Sequence, residues 1–241
     1  MNMTGLYHCT DFESLLNILK SQAFWPSYCY ERAEYLEIPE DFAFAMVCFA
    51  DLLDVEIKPH LKKFNKDCYL HMNKEWAKKN GLSNVIYYNK ISVVAALFRN
   101  MIKEIIKRTD PKKDELSNEI RFTSLMMAYF KQYEGYYWND KESQWSEQKS
   151  LFYTEREWRY IPIVQNYEAF YLSPNEFLDR AFRQMKRKEL IEHGYILKFV
   201  WNDIEHIGVH SFKQWIITCN YLTNKLHYNI IEVIKKVKVI F

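Results

Sequence analysis

The chain has 241 residues, 49% of them hydrophobic and 17% aromatic, with 33 basic and 31 acidic side chains for a net charge of +2. This is enough apolar mass for one large domain or two small ones, and five glycines and six prolines leave no flexible linker or low-complexity segment. The near balance of charge neither demands nor excludes a nucleic-acid partner, and no apolar run approaches the ~20 residues that span a bilayer.

Five cysteines (Cys9, Cys29, Cys48, Cys68, Cys219) lie far apart with no CxxC pair. That pattern predicts reduced thiols and signals no zinc site. Met1 to Gly5 lacks the basic-then-apolar order of a signal peptide. The expectation is a soluble, cytoplasmic protein with no membrane partner.

Leu6-Tyr7-His8 predicts a first strand. Thr10 and Glu13 have capping-box spacing, and Leu15, Leu16, Ile18 and Leu19 predict a helix over 11–21. Phe24 to Tyr30 predicts an aromatic loop, folded over the core or offering a stacking surface. The run Phe44 to Ala50 is continuous and apolar, as in a buried central strand. Asp67 to Met72 predicts another strand, and Asn73 caps a short helix over 74–79 that stops at Gly81. Val85 to Tyr88 is strand-like.

Apolar residues at helical spacing predict a helix over 91–107, a turn at Asp110-Pro111, and a second helix from Ser117 to Tyr129. The pair is an inserted helical hairpin, about 91–130, in a single domain spanning 1–241. A second aromatic loop, Phe130 to Trp138, and a polar connection, Asn139 to Lys149, follow. Ser173-Pro174-Asn175-Glu176 starts a helix to His193 with a basic face at Arg180, Arg183, Lys186 and Arg187. That face is either solvated or a nucleic-acid contact. Strands over 195–201 and 204–209, a helix over 211–223 and a closing strand over 230–241 complete the reading. The fold class is α+β, a mixed and mainly antiparallel sheet with peripheral helices.

The charged stretch Glu155-Arg156-Glu157-Trp158-Arg159 precedes the apolar run Tyr160 to Val164. On a strand, Glu155, Glu157 and Arg159 would share one face. Charges on a core strand either pair with one another, with Arg156, Arg159 or Lys131 as partners, or line a pocket that uses them. Arg159 decides: locked to Glu157, it makes the acid structural.

Leu6 to Thr10, Met46 to Asp51, Tyr129 to Gly135, Glu155 to Tyr160 and Asp203 to Val209 together resemble the AbiGi family of bacterial abortive-infection proteins. Members are labelled as the antitoxin side of a phage-defence pair. The resemblance implies an antitoxin or sensor acting through contacts with a cognate toxin or another defence-system protein.

Tyr7-His8-Cys9-Thr10 before a helix, with the late Glu155-Arg156-Glu157, also looks like the NAD site of ADP-ribosyltransferases. That likeness implies a split sheet with NAD as cofactor. It places His8 and Thr10 on the ribose side, Tyr28 or Tyr30 stacked on the nicotinamide, and Arg159 beside them. Glu157 would be the catalytic acid with Glu155 before it. The substrate would be protein or nucleic acid. A nucleic-acid-binding regulator, using Arg180, Arg183, Lys186 and Arg187, is the third expectation.

Overall fold

The computed structural model describes residues 4–32, 41–108, 118–163 and 170–240. The first half runs β1 (Gly5–Thr10), α1 (Phe12–Ser21), β2 (Ala23–Phe24), β3 (Ser27–Glu31), β4 (Phe42–Leu52), α2 (Asp54–Lys63), β5 (Cys68–Met72), α3 (Lys74–Lys79), β6 (Ser83–Asn84), β7 (Ile86–Tyr88) and α4 (Val93–Arg108). The second half runs α5 (Asn118–Met127), β8 (Phe130–Gln132), β9 (Glu134–Gly135), β10 (Trp138–Asn139), β11 (Gln144–Trp145), β12 (Ser150–Leu151), a 3-10 turn (Phe152–Glu155), β13 (Trp158–Tyr160), β14 (Tyr171–Leu172), α6 (Pro174–Leu178) and α7 (Arg180–Glu192). β15 (Leu197–Lys198), β16 (Ile204–Val209), α8 (Phe212–Asn224), α9 (Ile230–Lys236) and β17 (Val237–Val239) close the chain.

β4 is the axis of an open, mostly antiparallel sheet ordered β17-β16-β5-β1-β4-β13-β6, with β3 and β14 also paired to β4. Its continuous apolar sequence suits a strand with neighbours on both edges and cover on both faces. The fold is α+β, as expected. Among the described residues, no helix is long and apolar enough to cross a membrane.

Register sorts the central side chains onto two faces, because alternate residues point opposite ways. Tyr7 lies opposite Ala50 and Arg159 opposite Cys48, which puts Tyr7, Cys48, Ala50 and Arg159 on one face. Leu6, His8, Val47, Phe49 and Trp158 point to the other. That second face is an apolar core in which Phe49 clusters with Leu15 and Leu19 of α1, Phe24, Trp76 and Phe199. Phe24 meets Phe49 edge-on at 5.1 Å.

Several local expectations are corrected. The cap of α1 is Asp11, whose carboxylate accepts from the Ser14 amide at 2.8 Å, whereas Thr10 is still in β1. Residues 24–30 and 130–138 carry paired strands: β3 pairs with β4, with Tyr28 and Tyr30 at alternate positions, and β8 pairs with β7. The expected helix over 174–193 is two helices, broken where Asp179 is extended and caps α7. Residues 195–201 yield only the two-residue β15 before a 3-10 turn. Residues 230–236 are helical, capped by Asn229 and anchored by buried Val233, so tertiary packing overrides their β-branched preference. α2 was not anticipated: Pro59 sits inside it and half of its ten residues are charged. The Asp110-Pro111 turn lies outside the described residues.

Candidate functional site

The charged stretch is not one continuous strand. Phe152 to Glu155 is a 3-10 turn, Arg156 is left-handed at φ 45°, and the ladder starts only at Trp158. The reversal at Arg156 takes Glu155 off the strand, yet both carboxylates still converge on Lys131 of β8. The Lys131 ammonium donates to Glu155 Oε2 at 3.1 Å and to Glu157 Oε2. Lys63 of α2 donates to the other Glu155 oxygen at 2.9 Å. Arg156 turns away, donating to the Asp51 carbonyl at 2.6 Å and to Glu56.

Arg159 completes the set. Its Nε donates to Glu157 Oε1 at 2.8 Å, and its Nη1 donates to Glu31 Oε2 at 3.1 Å and to the Ala128 carbonyl. Its Nη2 donates to Glu31 Oε1 and to Glu157 Oε2 at 3.3 Å. The guanidinium is fully buried. Six groups thus alternate in sign, Lys63, Glu155, Lys131, Glu157, Arg159 and Glu31. Such neutral, hydrogen-bonded pairing is what lets charges persist in an interior. Burial pushes the Glu157 carboxyl up, but Arg159 and Lys131 outweigh it and hold it well below the usual carboxylate range. Burial likewise pulls Lys131 and Arg159 down, and the carboxylates more than reverse it.

Four of these groups, Glu31, Lys131, Glu155 and Glu157, line a cavity of about 410 Å³ on the Arg159 face of the sheet. Glu155, Glu157, Tyr28 and Tyr30 line it, with Glu31, Lys131, His60 and a largely aromatic remainder. Tyr30 is already stacked by Phe177 at 4.5 Å and 11° and by Trp145 at 5.2 Å and 25°. Tyr28 is 6% exposed. Cys29 and Cys48, also on the wall, bring their sulfurs to 3.9 Å.

His8 and Thr10 are not among the lining residues. His8 points into the opposite face, its ring against Phe24 at 4.9 Å and Phe49 at 5.5 Å. Its Nδ1 lies 2.9 Å from the Cys48 carbonyl, which can only accept, so Nδ1 carries the hydrogen. Burial lowers its pKa to about 4, against the pull of that hydrogen bond. Thr10 is buried in the ladder opposite Cys68. The sheet therefore separates His8 and Thr10 from Glu157. Sequence reasoning missed Glu31 and Lys63 as members of the network, since partners 128 and 92 residues away leave no local signal.

The basic face of α7 is engaged within the chain. Arg180 donates to Ser143 Oγ at 2.8 Å, Arg183 to Asp140 at 2.9 Å, Lys186 to Glu189 at 3.2 Å and Arg187 to the Pro26 carbonyl at 3.0 Å.

Residues 22–210 match the model of a family described as "Putative abortive phage resistance protein AbiGi, antitoxin". The chain is also similar to the "Abortive phage resistance protein AbiGi" of Lactococcus lactis subsp. cremoris, 26% identical over 209 residues, which cover 78% of this chain and 83% of that protein. No solved structure matches.

Proposed function

This chain belongs to the AbiGi family, and on that premise we propose that it is an abortive phage resistance protein that acts as an antitoxin, holding a cognate toxin through protein contacts. The observation that carries the reading is the family match across residues 22–210, with its antitoxin description. The site agrees with it. Both oxygens of Glu157 are held by cations, and a carboxylate so occupied is poorly placed to meet a developing positive charge on a substrate.

The reading is tested by co-expression with the toxin encoded beside this chain. Growth arrested by the toxin alone should recover when the chain is present, and the two should co-purify. Arrest that persists despite soluble chain would sink it.

A second reading is favoured by one observation, that Glu155, Glu157 and Tyr28 line a single cavity of about 410 Å³. It is an ADP-ribosyltransferase-like enzyme using NAD. It predicts that Glu157→Gln abolishes NAD cleavage while the melting temperature barely moves. The antitoxin reading predicts no NAD cleavage to abolish and a clear loss of stability.

A further inference from the structure

Residues 211–241, beyond the family match, hold five lysines and one acidic residue, Glu232. The segment folds as α8, α9 and β17. α8 and α9 are anchored inward by Cys219, Leu222 and Val233. A helix with only a core to satisfy carries polar residues on its outer face. Here the outer faces are apolar as well: Phe212 is 65% exposed, Ile216 40%, Ile231 61% and Ile234 50%. Phe212 and Ile216 are one turn apart on α8, as are Ile230 and Ile234 on α9, so each helix presents a stripe. Lys213, Lys225 and Lys235 accompany the stripes, and their ammonium groups make no ion pair among the described residues. Glu232, the one acid of the segment, is exposed and accepts from the Trp201 indole at 3.2 Å.

We propose that this apolar, lysine-rimmed face of α8 and α9 is where the toxin docks, and that the toxin meets it with an apolar patch rimmed by acidic side chains. The placement rests on the antitoxin reading. Unsatisfied positive charge around outward apolar residues selects an acidic partner and speeds its encounter. An anionic lipid surface has the same charge, but both helices are anchored to the core through Cys219, Leu222 and Val233. Their unit also ends in β17, the terminal strand of the sheet, whose outer edge has no ladder partner among the described residues. Protein partners pair with such an edge, and lipids do not.

The test measures affinity between the full-length chain and the toxin encoded beside it, at low and high salt, with circular dichroism on each variant. Ile216→Asp with Ile231→Asp should weaken binding at least ~30-fold, the loss expected of a buried anchor. Lys213→Glu with Lys235→Glu removes no core contact and should weaken it about 10-fold while flattening the salt dependence. Leu97→Asp, on the exposed face of α4, should bind as the wild type does. Toxin binding unchanged in both double variants, or lost in Leu97→Asp, overturns this placement and leaves the antitoxin reading intact. A wild-type chain that binds no toxin overturns both readings. Phosphatidylserine vesicles that bind wild type but not the lysine variant, with no toxin affinity, would assign the face to membrane and overturn the proposal.

Discussion

The two faces of the sheet at β1, β4 and β13 are built from the same strands and solve opposite problems. On the Phe49 face, aromatic and aliphatic side chains close on one another and on α1. On the Arg159 face, the layer is incomplete and opens into the cavity, so the strands carry charge there. The first face is held by area and fit. The second is held by a row of ion pairs alternating in sign, in which removing an interior member leaves buried charges short of a partner. The difference teaches that charge at a cavity is not by itself chemistry. In this chain the same pairs that make Glu157 tolerable also occupy it.

The largest effects should test that contrast directly. Arg159→Met leaves Glu157 and Glu31 short of their shared partner and should cost about 3–5 kcal/mol in denaturant unfolding. Phe49→Ala should cost a similar ~3–5 kcal/mol by opening a void. The two differ in their response to charge: the arginine variant should recover part of its loss when Glu157→Gln is added, whereas the Phe49 void should not. A cost under about 1 kcal/mol for Arg159→Met would show the network to be wetter and more forgiving than its burial implies. Gly208→Ala comes next. A Cβ there would sit 2.1 Å from Tyr69 Cε1, so the ring must move, at a cost of about 1–3 kcal/mol in the same measurement.

How much of this was legible in the sequence depends on how local the cause is. β4 was readable because a long apolar run has few alternatives, and α3 because Asn73 and Gly81 punctuate it. α2 was hidden by Pro59 and its charges, and α9 by branched residues that favour strands until Val233 finds a core. The acids of the site stood out as charges before a core strand. Glu31 did not, since it matters only once β3 is laid beside β4 and its carboxylate reaches Arg159. The separation of His8 from Glu157 was likewise beyond reach, because it depends on register: His8 and the Arg159 side chain fall on alternate positions of paired strands.

Acid separates His8 from the Glu157 network by pH. The folded His8 pKa is about 4, below its unfolded value of about 6.5. Between these the unfolded chain binds more protons, so stability falls as pH drops from about 6.5 to 4. Glu157 is also depressed, from an unfolded value of about 4.3. Its contribution is intact above that value and is lost only as pH falls further. Acid should therefore act on His8 before it reaches the Glu157 pairs. His8→Gln should flatten the loss between pH 6.5 and 4 by about 2 kcal/mol, less than the full shift because the ring is only half-buried. His71, also lowered to about 4 by burial and by His206, remains and keeps part of the slope. A slope unchanged in His8→Gln would mean that His8 titrates normally.

The smallest effect probes how α1 is set against the Phe49 face. Asp11 accepts from the Ser14 amide at 2.8 Å and begins the helix that delivers Leu15 and Leu19 to the core. Asp11→Ala leaves that amide without its cap and should cost about 1 kcal/mol. Glu13, expected to close a capping box with Thr10, has no such task once Thr10 is in the ladder opposite Cys68. Glu13→Ala should therefore change stability by less than about 0.5 kcal/mol. If instead Glu13→Ala costs as much as Asp11→Ala, the helix starts one residue earlier than described. Thr10 would then leave β1, and the aromatic face would lose a ladder pair that the cavity face does not share.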